Sequence, residues 1–165
     1  MNTAAIQKQN VSLAPLATHF SQLGYIVSDI EAATAALRKS LGVTFTRAEG
    51  SAALSDKVLY RGKPHAASAL LAFADLRGIE LEIIQPITKN NVFTEFLDAH
   101  GSGLHHAGFW IPDLEQYRMY YDLMVANGHT QLMQGRLEDP GVEFCYFDCS
   151  AFGASVIEIT HFFES

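Results

Sequence analysis

The residues of this chain best suited to chemistry are two adjacent histidines and two carboxylates embedded in apolar runs. His105 and His106 head the stretch HHAGFWIPDLEQY, and a histidine ring can bind a metal ion or carry a proton. Glu82 and Glu158 each interrupt a strand-like run of aliphatic residues, where an unpaired carboxylate carries a heavy desolvation cost. A lone histidine on a strand is more often an ordinary polar position, so the pair indicates a site only if it has partners.

An internal repeat brings such partners into correspondence. QLGYIVSDIEAA, residues 22–33, aligns without gaps on HAGFWIPDLEQY, residues 106–117, so that Gln22 takes the position of His106. The ends of the two halves also match, because IELEIIQPI and ASVIEITHF are both strand-like and each contains one of the two embedded carboxylates. Each half therefore begins with a polar residue on a strand and ends with a carboxylate on a strand.

The alternation of side chains along a strand predicts which residues share a face. His106 shares its face with Trp110, whereas His105 is predicted to point to the opposite face. Glu82 shares its face with Glu80, about 7 Å away along the strand. If the strands curve toward one another, four polar side chains converge on one point: Gln22, Glu82, His106 and Glu158.

The elements that position these residues are predicted as two βαβββ modules in one compact α+β domain, with curved mixed sheets around a metal-binding cleft. The predicted division is an N-terminal extension at 1–17, modules at 18–90 and 104–165, and a linker helix at 91–103. The elements expected in the first module are a strand at 19–27, a helix at 29–40, a strand at 43–48, strands within 57–73 joined by a turn at RGKPH, and a strand at 78–86. Those of the second are a strand at 104–111, a helix at 113–127, and strands at 129–135, 142–148 and 154–162.

Composition excludes several classes of function. With 11 Lys and Arg against 18 Asp and Glu, the net charge is −7 and no basic patch suits nucleic acid. No run approaches the ~20 apolar residues that span a bilayer, and no secretory leader is evident, so a cytoplasmic protein without membrane contact is expected. Cys145 and Cys149 lie about 13 Å apart on a predicted strand, too far for a disulfide, and are expected to be reduced, half-buried thiols.

The paired layout, with QLGYIVSDIEAA, LEIIQPI, FLDAHGSGLHHAGFWIPDLE and VIEI, resembles the vicinal oxygen chelate superfamily, which includes glyoxalase I, methylmalonyl-CoA epimerase, extradiol dioxygenases and bleomycin-resistance proteins. The resemblance covers about residues 19–162 and is closest to the epimerase-like branch in EFLDAHGSGLHH. It implies one divalent metal ion, with a ligand set similar to that of glyoxalase I: Gln22, Glu82, His106 and Glu158. Such a thiol-free set suits Zn²⁺, Ni²⁺, Co²⁺, Mn²⁺ or Fe²⁺.

The chemistry implied by this resemblance is proton abstraction through a metal-stabilised enolate or enediolate, as in an isomerase, epimerase or lyase acting on a small carbonyl or thioester substrate. Glu158 is the first choice for the general base and Glu82 the second, with Trp110 and Glu80 as candidates for the substrate pocket. The family resemblance also implies a homodimer. The alternative is a bleomycin-resistance-like protein that binds a small molecule without catalysis.

The chain departs from both enzymes that it resembles most. Gln22 stands where the epimerase pattern has histidine, and AASALLAF lacks the additional carboxylate that epimerases carry on the corresponding strand. FDCSAFGASVIEI replaces the Asp-Pro-Asp-Gly turn that is usual in glyoxalase I. Gln22 also disfavours extradiol dioxygenase chemistry, which uses two histidines and one glutamate around iron.

Overall fold

The computed structural model describes residues 12–47, 52–54, 58–139, 141–150 and 155–164. Within these ranges a 3-10 helix, Ala14–His19, precedes three α-helices and eleven strands. The helices are α1 (Ile30–Leu41), α2 (Val92–His100) and α3 (Leu114–Ala126). The strands are β1 (Phe20–Ile26), β2 (Thr46–Arg47), β3 (Ala52–Leu54), β4 (Leu59–Tyr60), β5 (Lys63–Pro64), β6 (Ala67–Leu76), β7 (Ile79–Pro86), β8 (Gly103–Trp110), β9 (Thr130–Leu137), β10 (Val142–Cys149) and β11 (Ser155–Phe162).

The two repeated helices begin at the carboxylates that the repeat placed before them. Asp29 accepts a hydrogen bond from the backbone N–H of Ala32, and Asp113 accepts one from the backbone N–H of Gln116. Each carboxylate thereby satisfies one of the amide groups left unpaired at a helix start. None of the helices in the described ranges combines the length and apolarity needed to cross a membrane.

The strands form one mixed sheet in which the two repeated halves meet at the centre. Its order is β2-β6-β7-β1-β8-β11-β10-β9-β4-β5, with β3 also pairing with β6. β1 is parallel to β7 and antiparallel to β8, while β8 is parallel to β11. The opening and closing strands of each half are thus neighbours, and the predicted α+β class with its paired layout is confirmed.

The prediction of strand structure at 57–73 with a turn at RGKPH is confirmed over the described residues 58–73. That segment contains β4, β5 and the start of β6, because Arg61 and Gly62, with φ of 48° and 76°, turn the chain into a tight hairpin. The hairpin crosses to the second half, where Leu59 and Tyr60 pair with Gln134 and Met133 of β9. Local sequence predicted the turn but gave no sign of this long-range pairing.

Two other predicted segments extend beyond the residues that the structure describes. Of the strand expected at 43–48, β2 spans Thr46–Arg47, and residue 48 lies outside the described ranges. Of the extension at 1–17, residues 1–11 lie outside them, and the 3-10 helix buries Leu16 against the core. Both cysteines are free and fully buried, so the expectation of half-buried thiols is wrong.

Apolar clusters cover both faces of the sheet and close one end of the cleft. α1 packs on β6 and β7, and α3 packs on β11, each over its own apolar cluster on the outer face. On the inner face, Ile26 and Ile84 pack with Val92 and Phe93 of α2 and with Met133 of β9. α2 therefore seals the end of the cleft nearest to it, and the polar residues of the inner face lie above this seal.

Candidate metal centre

Four strands each contribute one polar side chain to the inner face: Gln22 from β1, Glu82 from β7, His106 from β8 and Glu158 from β11. The strand register explains how they meet. Gly24 lies opposite His106 on β8 and beside Glu82 on β7. Gly108 in turn lies opposite Gln22 on β1 and beside Glu158 on β11.

The two glycines make room for the polar side chains of the opposite half. A Cβ atom on Gly24 would lie 1.8 Å from Cε1 of His106, and one on Gly108 would lie 2.7 Å from Oε1 of Gln22. Atoms that are not bonded to each other cannot approach so closely, so any larger residue would displace these side chains. The glycine that the repeat places two residues after Gln22 and after His106 is therefore a requirement of the site.

The imidazole of His106 lies between the two carboxylates. Its Nε2 atom is 3.2 Å from Oε2 of Glu158 and 3.4 Å from Oε2 of Glu82. The candidate ligand atoms of these three residues all lie within 4.8 Å of one another. His106 is 2% exposed, Glu158 6% and Glu82 8%, so two carboxylates share an almost dry space with one ring.

Three buried polar atoms in this space lack hydrogen-bond partners among the described residues: Gln22 Oε1, Glu82 Oε2 and His106 Nε2. The distances from His106 Nε2 to the two carboxylates suit an ion pair. An unsatisfied buried polar atom costs about 1–3 kcal/mol, so three in one place call for a shared partner. A divalent cation would satisfy all three, and one nitrogen with three oxygens is a suitable donor set for it.

Glu80 orients the amide of Gln22. The Nε2 atom of Gln22 donates a 2.8 Å hydrogen bond to Oε1 of Glu80, which leaves Oε1 of the amide free to face the other ligands. Glu80 is half-buried, and burial raises the pKa of its carboxyl while the hydrogen bond from Gln22 opposes that rise. The sequence placed Glu80 near the pocket, and the structure adds this contact with a candidate ligand.

His105 does not face away from His106, so the strand-parity prediction for it is wrong. The Nδ1 atoms of the two rings are 3.0 Å apart in a buried hydrogen bond. In the pairing of β1 with β8, Gly24 pairs with His106 and Tyr25 with Leu104, so His105 is the extra residue of a β-bulge. The bulge breaks the simple alternation from which the opposite face was predicted.

Tyr146 is a residue of the site that sequence reasoning missed. It pairs with Glu158 across β10 and β11, and its ring centroid lies 5.1 Å from that of His106 in an edge-to-face contact. Burial, followed by the charges of Glu158 and Glu82, raises the pKa of Tyr146 well above its usual value, so its hydroxyl stays protonated. The pairing of β10 with β11 could have placed Tyr146 opposite Glu158. The sequence did not determine the length of the loop between these strands, so their register could not be predicted.

Without a metal, the charges in the site hold a proton on His106. Burial lowers the pKa of this ring, but Glu158 and Glu82 more than offset that and raise the pKa to about 9. Burial also raises the pKa of Glu82, while His106 opposes the rise. A proton thus sits where a cation would bind.

Trp110 lies on the inner face above the polar residues, as the strand alternation predicted. It pairs with Thr160 on β11, and its ring contacts that of Phe162 edge to face at 5.3 Å. Trp110 is half-buried and Phe162 is 50% exposed. These two rings lie at the end of the cleft opposite the seal made by α2.

Residues 21–146 match the family model described as the Glyoxalase/Bleomycin resistance protein/Dioxygenase superfamily. The matched segment includes Gln22, Glu82 and His106 and ends before Glu158. No curated protein sequence matches the chain.

Solved structures share the fold at low sequence identity. Methylmalonyl-CoA epimerase from Mycobacterium tuberculosis is 16% identical with a TM-score of 0.61, over 87% of each chain. A variant of the Streptomyces coelicolor epimerase in complex with 2-nitronate-propionyl-CoA is 14% identical with a TM-score of 0.62, over 87% of this chain and 93% of the epimerase. A hypothetical protein from Bacillus halodurans C-125 is 14% identical with a TM-score of 0.63, over 88% and 95% of the two chains. At this identity the likeness establishes the fold alone.

Proposed function

Because the chain belongs to the glyoxalase/bleomycin resistance protein/dioxygenase superfamily, we propose that it is a divalent-metal-dependent enzyme of the glyoxalase or epimerase type. The reaction would be proton transfer at a carbon next to a carbonyl or thioester group of a small molecule. The observation that carries the proposal is the convergence of Glu82, His106 and Glu158 within 4.8 Å of one another, in a site where Glu82, His106 and Gln22 each have a buried atom with no partner among the described residues.

The proposed metal ligands are Gln22, Glu82, His106 and Glu158. When bound, a divalent cation would stabilise negative charge on two adjacent substrate oxygens and so make a neighbouring C–H group more acidic. The protein contributes rigidity, because four strands of one sheet position the donors and Glu80 fixes the amide of Gln22.

Glu158 is the proposed general base and Glu82 the second choice. A base must be an acceptor within reach of the substrate carbon, and the carboxylate of Glu158 lies on the inner face with Oε2 3.2 Å from Nε2 of His106. Tyr146 pairs with Glu158 across β10 and β11, and because its pKa is raised its hydroxyl is a neutral neighbour of the carboxylate. Trp110 would form an apolar wall above the reacting carbon.

Solvent deuterium exchange tests the proposal directly. The purified protein, reconstituted with Co²⁺, Ni²⁺, Zn²⁺ or Mn²⁺, would be incubated in D₂O with a panel of acyl thioesters and 2-hydroxy ketones. We expect deuterium to enter one substrate at the carbon next to the carbonyl, and the Glu158→Gln variant to lose this exchange by at least about 100-fold.

The same experiment separates enzyme from binding protein. A protein that binds metal but exchanges no substrate would contradict the catalytic proposal and leave the metal centre standing. A protein that takes up no metal, yet binds apolar small molecules equally well as wild type and as Glu158→Gln, would be the non-catalytic binder instead. The metal content of the protein therefore has to be measured alongside every deuterium-exchange experiment.

Assembly and location remain parts of the proposal. We propose a homodimer, as the family resemblance of the sequence implies, and a location in the cytoplasm. Light scattering of the purified protein at micromolar concentration would give twice the mass of the 165-residue chain if the dimer forms.

A further inference from the structure

The contact between His105 and His106 requires one ring to donate and the other to accept. Their Nδ1 atoms are 3.0 Å apart, and both residues are at least 97% buried. Two bare nitrogens facing each other would repel, and two N–H groups would collide, so one proton must lie between them.

The position of the candidate metal decides which ring owns that proton. A metal at Nε2 of His106 needs the lone pair of that atom, so the neutral ring carries its hydrogen on Nδ1. His106 is then the donor and His105 the acceptor. His105, as a neutral ring that accepts at Nδ1, must carry its own hydrogen on Nε2.

We propose that His105 is a positioning residue that holds the His106 ring in the tautomer and orientation required for metal binding through Nε2. This inference rests on the proposed metal centre and adds the residue that orients its only nitrogen ligand. A metal-binding histidine usually donates its second N–H to a carboxylate, a backbone carbonyl or water. Here the acceptor is a neutral imidazole.

A neutral acceptor suits a centre that already contains two carboxylates. Glu82 and Glu158 together balance the charge of a divalent cation, so a third anion beside His106 would weaken the pull of the cation on substrate oxygens. An imidazole orients the ring through a hydrogen bond and adds no charge. The chain therefore fixes the ligand without reducing the electrophilic character of the site.

The surroundings of His105 are built to hold it in place. The β-bulge in β8 turns its side chain toward His106, and bulges commonly aim a side chain at a site in this way. Its ring packs at centroid distances of 5.1 Å from Phe96 and 5.8 Å from Phe93, both on α2, and 6.1 Å from Tyr146. Three aromatic rings thus limit the rotation of His105.

Three variants separate the hydrogen bond from the packing. His105→Phe keeps an aromatic ring and removes the acceptor. His105→Asn removes most of the ring, but its Oδ1 atom can occupy the position of Nδ1 and accept the same hydrogen bond. Phe96→Leu disturbs the packing around His105 and leaves the acceptor intact. Each would be titrated with Co²⁺ by calorimetry, with the visible absorption of the bound ion recorded.

We expect His105→Phe to bind Co²⁺ about 10- to 100-fold more weakly than wild type, which is the usual cost of losing such an orienting partner. His105→Asn and Phe96→Leu should stay within about threefold of wild type. Binding by His105→Phe at wild-type strength would overturn the proposal, as would equal losses in His105→Phe and His105→Asn. Thermal unfolding of each metal-free variant would show whether a loss of metal affinity reflects misfolding. If His105→Phe is misfolded, the affinity of His105→Asn decides whether the hydrogen bond matters.

Nitrogen-15 NMR of the Zn²⁺-loaded protein gives a second, independent reading. The shifts should show His106 protonated at Nδ1 and His105 protonated at Nε2, and a His106 ring without hydrogen at Nδ1 would overturn the inference. Failure of the proposed function looks different. A wild-type protein that binds no metal removes the metal centre itself, whereas metal binding without catalysis leaves the role of His105 intact.

Discussion

At the scale of single residues, the amide of Gln22 depends on one carboxylate for its orientation. An amide presents a nitrogen on one side and an oxygen on the other, and only the oxygen can bind a cation. Glu80, which accepts from the nitrogen, is what makes the oxygen face the other three donors. Gln22 can therefore serve as a ligand only as long as its neighbour stays an acceptor.

Replacing Glu80 by glutamine should allow the amide of Gln22 to flip. A glutamine at position 80 can donate as well as accept, so both orientations of the Gln22 amide become possible, and we expect metal affinity to fall about tenfold. Isothermal titration with Ni²⁺ would measure it. Asp75→Asn is the matched control, because Asp75 lies opposite Glu80 on β6, is exposed, and loses the same charge. An equal loss in both variants would point to general electrostatics instead.

The polar positions that the sequence singled out are the ones that the fold brings together. Strand alternation is a local property, so the repeat located Gln22 and His106, and the cost of a lone carboxylate drew attention to Glu82 and Glu158. The contact between His105 and His106 was not predictable in the same way. It follows from a bulge in the pairing of β1 with β8, which depends on strands about 80 residues apart.

At the scale of elements, the two central strands fit together because each contributes a glycine at the point where the other contributes a ligand. Gln22 lies over Gly108, and His106 lies over Gly24. The repeat therefore encodes a reciprocal arrangement, in which neither half could hold its own polar residue without the space provided by the other. The same two strands carry the only antiparallel contact between the repeated halves at the centre of the described sheet.

Adding one methyl group at these glycines should damage the site in a predictable order. Gly24→Ala forces the ring of His106 to move and should abolish detectable metal binding. Gly108→Ala presses on Oε1 of Gln22 at 2.7 Å and on its Cβ at 2.9 Å, and should cost at least about tenfold in affinity. Calorimetric titration with Co²⁺ would rank them.

Gly103→Ala on β8 is the control for these substitutions. The nearest atoms to its added Cβ are ring atoms of Phe96 at 3.8 Å, an ordinary contact. We expect wild-type affinity there. Weaker binding by Gly103→Ala than by Gly24→Ala would contradict the role assigned to the glycines.

The helices and long strands could be predicted from local signals in the sequence. The pairing of the β4–β5 hairpin of the first half with β9 of the second half could not. Asp29 and Asp113 mark helix starts by their own hydrogen bonds, and Gly62 marks a turn by its backbone freedom. The pairing of β4 with β9 has no such local signature, because it depends on which sheet edge is free after the rest has folded. Short strands of two residues are decided by their partners rather than by their sequence.

At the scale of the whole molecule, the proton held on His106 should couple stability to pH in the metal-free protein. The pKa of His106 is about 9 in the folded state, against 6.5 for an unperturbed histidine. The folded state therefore binds more protons between pH 6.5 and 9. The stabilisation from His106 is fully present below pH 6.5 and is lost as the pH rises through 9, by at most about 1.4 kcal/mol per pH unit.

Urea unfolding of chelator-treated protein at pH 6.5, 7.5 and 8.5 would measure this dependence. The free energy of unfolding should fall along the series, and His106→Gln should flatten it. Saturating metal should reverse the trend, because deprotonation of His106 favours the bound ion. A metal-free protein whose stability rises over this range would contradict the assigned charge state.

The crossing hairpin has a consequence for the size of the cleft. β5 is the outermost strand beyond β9, yet only His65 and Ala66 connect it to β6 in the other half. Three residue steps span at most about 11 Å, so β5 at one end of the sheet lies close to the start of β6, next to the other end. This short link therefore limits how far β5 and β6 can separate. Insertion of residues between β5 and β6 would therefore be a way to admit bulkier molecules while the candidate metal ligands keep their positions.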